Sequence, residues 1–390
     1  MKHIFTTLVG ILIFQLAIAQ DSEEKDIMID GKERYYTMVT PTDYSAENEY
    51  PLVVSLHGYY QYIKTYRAMI GLDSIAEKEK FIVAYPMGGI VQLTTNPMPG
   101  CLMPEGVGWA ANGFFKQKHG HDDEQFLLQL IDQLAKDYNI DKTKIYLMGT
   151  SNGGFMASMM AAKHPQKFAA VSCWRLVDSA QTTGTVPMMI SQGDKDPIGN
   201  LSGWTPDFTK WNDIKKDWLN ANDCDTNATV VELEDIDPTD GSTVTLYKYS
   251  GSETNQELWL YMENNGGHLM PHQALIDRCP ELGEGNRDYK AGEVTWNFFK
   301  RHQLSTTSIS QIELNHSVYP NPASHMFSIT INDQENAKLT IIDINGKVVV
   351  NQTVNRGTNR IEISHINNGI YLYQIQNKSG VGSGKLLIER

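Results

Sequence analysis

The stretch Ile145-Tyr146-Leu147-Met148-Gly149-Thr150-Ser151-Asn152-Gly153-Gly154-Phe155-Met156-Ala157-Ser158-Met159-Met160-Ala161-Ala162 decides the fold. Ile145–Met148 is apolar and β-prone, and Phe155–Ala162 reads as a helix. Between them lies G-x-S-x-G. A strand that turns into a helix through that pattern presents its serine on a sharp corner. Side chains at Gly149 and Gly153 would collide with the neighbouring strand and helix, and the serine backbone is strained. The Ser151 hydroxyl is thereby pushed out at the top of a sheet, where the helix aims its positive N-terminal end. Ser151 is the candidate nucleophile.

The surrounding pattern places that corner in an α/β fold. Strand candidates are Tyr35–Val39, Leu52–Leu56, Phe81–Ala84, Val186–Ser191, Val244–Tyr249 and Leu258–Met262. Helices are expected over Asp123–Tyr138, where Phe126, Leu127, Leu130, Ile131 and Leu134 share one face, over Phe208–Asn222 and over Gly292–Arg301. Alternating β and α elements predict a mostly parallel sheet covered by helices, with the site at the carboxyl ends of its strands.

The ends differ from this body. Residues 1–19 read as a signal peptide: a basic head at Lys2-His3, an apolar run from Ile4 to Ile18 and an Ala17-Ile18-Ala19 cleavage site. Residues 20–302 form the α/β domain and 303–315 a polar linker. Residues 316–390 form a small all-β, sandwich-like domain with short alternating strands and an Asn345-Gly346 hairpin turn. The net charge of −13 disfavours nucleic acid and anionic membranes as partners. No later stretch is long and apolar enough to span a bilayer. In an exported chain, Cys101, Cys173, Cys224 and Cys279 admit up to two disulfides, and the pairing stays open. Cys173 also reads as a small buried hydrophobe.

A nucleophilic serine needs a base, and the base an orienting carboxylate. Asp196 follows the strand Val186–Ser191, with Asp194 its close competitor and Asp178 a distant one. His268, after Gly266-Gly267 and beyond the last strand, is the expected base, with His272 as fallback. His164 reads as a solvated helix cap. The oxyanion that forms in acyl transfer needs waiting backbone donors. The N–H of Asn152 is one, and the N–H of Tyr59, in the loop His57-Gly58-Tyr59-Tyr60, is the other; His57 braces that loop. Tyr60 and Trp109 are expected to line an aromatic substrate subsite. The turn Asp235–Gly241 only loosely resembles a calcium loop and reads as a solvated acidic turn, so no metal and no cofactor is expected.

Several motifs occur in order: Leu52–Gly58, Asp122-Asp123, Tyr138–Asp141, Ile145–Gly154, Gly193–Asp196 and Gly266–His268. Together they resemble the esterase/polyhydroxybutyrate depolymerase family, which is similar to the feruloyl and acetylxylan esterases of carbohydrate esterase family one. The resemblance implies an α/β-hydrolase fold with Ser151, Asp196 and His268 as triad. Asp122-Asp123 then looks helix-capping rather than catalytic. In the tail, Val318–Ala323, Ile342–Lys347 and Gly369–Leu372 resemble the type A sorting domain of the type IX secretion system. That implies export to the cell surface or medium, with the secretion machinery as partner and the tail as an address. The expectation is a secreted serine carboxylic ester hydrolase acting on feruloyl or acetyl esters of plant polysaccharides. A polyhydroxybutyrate or polyester depolymerase is one alternative. A non-catalytic glycan-binding surface protein on a hydrolase scaffold is the other.

Overall fold

A computed structural model describes residues 22–390 except 30, 95–97, 99–100, 112–114, 180–183, 203–208, 254–255, 274–278, 305–311, 314–315, 333–335, 344–346 and 378–379. The expected signal peptide, residues 1–19, and the Asn345-Gly346 turn lie outside the described residues. The chain divides into two compact units, one ending at Leu304 and one from Ser305 to Arg390.

In chain order the first unit carries β1 (Ser22–Ile29), β2 (Lys32–Val39), β3 (Tyr50–Leu56), α1 (Ile63–Ile70), α2 (Leu72–Glu79), β4 (Ile82–Pro86), β5 (Gly89–Leu93), β6 (Glu105–Gly108), β7 (Phe115–Gln117) and α3 (Asp123–Asp137). It continues with β8 (Ile140–Thr150), α4 (Asn152–Lys163), β9 (Ala170–Trp174), β10 (Met188–Gly193), α5 (Pro197–Ser202), α6 (Thr209–Ala221), β11 (Thr229–Glu232), β12 (Thr243–Ser250), β13 (Glu257–Asn264) and α7 (Ala291–Phe299). The large sheet has the order β1-β2-β4-β3-β8-β9-β10-β13-β12-β11. Its centre, from β4 to β13, is parallel, and the two flanks are antiparallel. This is the α/β-hydrolase architecture.

The parallel strands are buried on both faces. β4 and β9 are wholly buried, as continuous apolar runs between helical layers require. Leu52, Val54, Leu147, Val171 and Met188 join one core with the apolar faces of α3 and α4, while Val53, Tyr146 and Met189 face the other, against α7. At the start of α3, Asp122 caps the helix by accepting Gln125 N–H at 3.0 Å. Its neighbour Asp123 does something sequence reading missed. Buried, it pairs with Arg34 of β2 at 2.7 Å and accepts from Ala110 N at 2.9 Å and Gln117 Nε2 at 2.7 Å. It thus anchors the small sheet β6-β5-β7, which sequence periodicity did not announce. His164 is likewise not merely solvated; it meets Glu124 at 2.9 Å.

The second unit is all-β, with its own core of Phe327, Ile329, Leu339, Ile341, Ile361, Ile375 and Leu386. Strand Gly369–Gln376 alternates buried and exposed residues, as a sheet with one covered face demands. The linker expectation over 303–315 needs one correction. Ile312–Glu313 pairs in parallel with Gly380–Val381 and so belongs to the tail's sheet. Two residues can do so because an edge pairing needs only their backbone.

Candidate active site

The corner after β8 is as tight as its sequence requires. Ser151 has φ 52° and ψ −118°, a strained setting for a non-glycine residue. A Cβ on Gly149 would sit 2.0 Å from the Gly153 carbonyl oxygen, and one on Gly153 2.5 Å from that of Leu56. The Ser151 N–H donates to the Trp174 carbonyl at 2.7 Å, and its own carbonyl accepts Gly154 N–H at 2.8 Å. Those bonds fix the backbone and leave the hydroxyl free to turn outward.

Ser151 Oγ lies 2.9 Å from His268 Nε2, and His268 Nδ1 lies 2.8 Å from Asp196 Oδ2. A carboxylate only accepts, so Nδ1–H donates to Asp196 and Nε2 is left to accept from the serine hydroxyl. Asp196 is fully buried. Its Oδ1 accepts Ile198 N–H at 2.9 Å and Gly199 N–H at 3.0 Å, and Gln192 Nε2 donates to Oδ2 at 3.1 Å. Burial pushes the carboxyl up, but the facing His268, the Gly199 amide and nearby Arg175 outweigh it and hold Asp196 below its ordinary value. The competing candidates stay apart. Asp194 uses its N–H on the Glu263 carbonyl, the Asp178 carboxylate accepts its neighbour Ser179 N–H, and exposed His272 donates its N–H to Asn286.

The glycines before His268 have a packing reason. A Cβ on Gly267 would lie 2.3 Å from the Leu282 carbonyl oxygen. That carbonyl accepts His268 N–H at 2.6 Å.

Across the cleft, His57 is fully buried. It donates Nδ1–H to the Gly58 carbonyl at 2.7 Å and accepts Gly88 N–H on Nε2 at 2.9 Å. Both ring nitrogens are used by a neutral imidazole, and burial lowers the His57 pKa to about 4. His57 therefore braces the loop that carries Tyr59. Gln61 Oε1 accepts Gly58 N–H at 2.8 Å, and the Val107 carbonyl accepts Tyr60 N–H at 2.8 Å.

Trp109 corrects an expectation. It is fully buried, outside the cleft lining, with its ring centroid 5.2 Å from that of His57. Its Nε1–H donates to the His57 carbonyl at 2.9 Å. The Asn152 side chain clamps its backbone, accepting from Trp109 N at 2.6 Å and donating to Trp109 O at 2.8 Å. The indole thus packs against the loop and does not line the cleft. Tyr60, by contrast, lines the cleft with Tyr59.

Much of the remaining wall is apolar, with Leu102, Phe115, Phe155, Leu176, Ile198 and Leu282, and Gln61, Thr150 and Gln273 add polar groups. Among the described residues, no lysine, arginine or carboxylate lines the cleft. Cys101 and Cys279, both in that lining, form a disulfide with Cα atoms 5.2 Å apart, the pairing that sequence left open. Cys173 is a free, buried thiol whose pKa burial raises. Cys224 is also free. The turn Asp235–Gly241 closes on itself: Asp237 takes the Thr239 hydroxyl, and Asp240 accepts from Ser242 and from Arg287 N–H.

Residues 317–389 match the family described as "Secretion system C-terminal sorting domain". Among individual proteins, the chain is similar to a bifunctional acetylxylan esterase/xylanase of Neocallimastix patriciarum, 29% identical over 153 residues, 38% of this chain and 20% of that protein. It is similar to a poly(3-hydroxyalkanoate) depolymerase C of Paucimonas lemoignei, 31% identical over 122 residues, 31% of this chain and 27% of that one. It is also similar to feruloyl esterase B of Neurospora crassa, 28% identical over 134 residues, 34% of this chain and 41% of that one. The chain thus spans less than half the length of each of these relatives. Residues 31–231, slightly more than half of the chain, match the family described as "Putative esterase", and the chain belongs to that esterase family.

Proposed function

We propose that the protein is a secreted serine carboxylic ester hydrolase. The observation that carries this reading is the relay from Ser151 through His268 to Asp196, with links of 2.9 and 2.8 Å. Ser151 Oγ attacks the ester carbonyl as His268 Nε2 takes its proton. Asp196 keeps the imidazole in the required tautomer and stabilises the imidazolium. The Tyr59 and Asn152 amides receive the oxyanion. His268 returns the proton to the departing alkoxide, leaving an acyl-serine. Water, deprotonated by His268, attacks that ester, and collapse frees the acid and restores Ser151. No cofactor enters.

The substrates we assign are feruloyl or acetyl esters of plant polysaccharides. The names of the acetylxylan and feruloyl esterase relatives support this, as does a largely apolar cleft, lined by no lysine, arginine or carboxylate among the described residues, which suits a neutral acyl group. The depolymerase relative keeps hydroxyalkanoate polyesters as the second reading. Residues 1–19 are assigned to export, residues 20–302 to hydrolysis, and the tail from 316 to recognition by the type IX machinery, supported by the sorting-domain match.

The test is release of acid by the chain from Gln20 onward, from methyl ferulate, acetylated xylan and polyhydroxybutyrate. Release from either of the first two supports the assignment. Release from the polyester alone replaces it with the second reading, and release from none, by folded protein, rejects both.

A further inference from the structure

Behind the relay lies a buried ionic network that the hydrolytic steps do not use. Arg175 leaves β9 with φ 73°, a conformation that strains a non-glycine residue. Its side chain is fully buried. Nη2 donates to the carbonyl of Leu269, the residue directly after His268, at 2.5 Å. Nη1 stands 2.9 Å from Oε1 of Glu263, equally buried, at the end of β13. The Tyr289 hydroxyl donates to the same Oε1 at 2.5 Å and meets Ser191 Oγ at 3.3 Å. Arg175 N–H donates to the Ser191 carbonyl at 2.7 Å. One guanidinium therefore reaches from β9 across β10 to β13 and holds the loop that carries the base.

Stability alone is a poor reason for this arrangement. Removing two charges from water is costly, and apolar replacements of buried pairs are often neutral or stabilising. The pair is also incompletely satisfied: Arg175 Nε, Arg175 Nη1 and Glu263 Oε2 make no hydrogen bond among the described residues, so the ion pair is a close approach without hydrogen-bond geometry. Strain at φ of Arg175 adds to the cost. Such costs concentrate where geometry matters to function.

We propose that Arg175, braced by Glu263, is a positioning residue that sets the His268 loop at hydrogen-bonding distance from both Ser151 and Asp196; this rests on the esterase reading above. A planar fork suits the task, since it can engage a carbonyl and a carboxylate at once where an ammonium offers a point charge.

The test uses the mature chain with Arg175→Met and Glu263→Gln combined, so that no unpaired charge is buried. The expected result is a Tm equal to or above wild type. The kcat per active site, titrated with a fluorophosphonate, falls about 10- to 100-fold, the scale of a misplacement near 1 Å, with KM changed less than about 3-fold. Arg175→Lys falls between wild type and the double variant, and carries the test alone if the double variant folds poorly. A folded double variant, or Arg175→Lys, with wild-type kcat overturns the proposal. The low-field proton resonance of the His268 Nδ1–H bond to Asp196 provides a readout independent of substrate. It is expected in wild type and broadened or lost in the variants; an unchanged resonance also overturns the proposal. Wild-type protein that shows the resonance but hydrolyses no ester rejects the esterase reading and leaves the positioning role to be judged by that signal.

Discussion

The Leu282 carbonyl accepts the backbone N–H of His268 at 2.6 Å, and Leu282 N–H in turn donates to the carbonyl of Cys279 at 3.1 Å. His268 is thus tied by a short chain of backbone bonds to the disulfide that Cys279 makes with Cys101, a partner 178 residues away.

Removing that tie with Cys101→Ser and Cys279→Ser should act on both stability and activity. A cross-link closing so long a loop contributes about 2–5 kcal/mol. The double variant is expected to unfold at a clearly lower temperature, and to lose kcat more than the binding of a small ester at a temperature where it is still folded. Thermal unfolding and steady-state kinetics, with and without reductant on the wild type, check this. Equal Tm for oxidised and reduced wild type would contradict it.

Asp196→Asn keeps shape but inverts the hydrogen bond that selects the His268 tautomer. The expected loss in kcat is on the order of 10⁴-fold, with the fold retained by circular dichroism. Because the folded Asp196 is held below its ordinary value, its ionised form stabilises the native state above a pH of about 4, the unfolded value. That contribution is lost as pH falls through the folded value. The Tm gap between wild type and variant should therefore narrow only below pH of about 4. A gap that closes near neutrality would show the carboxyl is not held ionised.

His57 predicts a pH effect in a different window. With its folded pKa lowered to about 4 against about 6.5 unfolded, the unfolded chain binds the proton first. Stability is full above pH of about 6.5 and declines by up to about 3 kcal/mol as pH falls to about 4. His57→Gln, neutral at every pH, should be less stable at pH 7 but lack this part of the slope. Urea unfolding of both proteins across that range measures it; parallel slopes would remove His57 as the cause.

Gly153→Ala tests the corner itself. The added Cβ would lie 2.5 Å from the Leu56 carbonyl oxygen and 2.6 Å from that of His57, backbone atoms that cannot yield cheaply. The expected outcome is a loss of soluble folded protein or, if it folds, a Tm lower by many degrees. A stable, fully active variant would mean the corner is looser than described.

Much of this was legible in the sequence because local rules apply to it. The collision at Gly149 and Gly153, the apolar runs of β3 and β4 and the face of α3 are properties of adjacent residues. The expected chain order of Ser151, Asp196 and His268 came from the resemblance; that the three stand close together fits strands β8, β10 and β13, which run parallel and so end at one edge of the sheet. What escaped depended on contacts between distant segments. Whether Trp109 turned toward substrate or inward was decided by the Asn152 side chain, which clamps its backbone. The partner of Cys101 is Cys279, a contact across 178 residues that no local pattern announces. Arg175 left one signal, a charge directly after the wholly buried run Ala170–Trp174, but its partner Glu263 lies across two strands.

The most direct measurement of the central claim is intact-mass spectrometry after exposure to a fluorophosphonate, beside ester turnover by the same samples. The account predicts a single adduct on Ser151 in folded wild type and none in Ser151→Ala, whose kcat falls on the order of 10⁶-fold. Wild-type protein that takes no label, or a Ser151→Ala variant that still hydrolyses the ester, would contradict it.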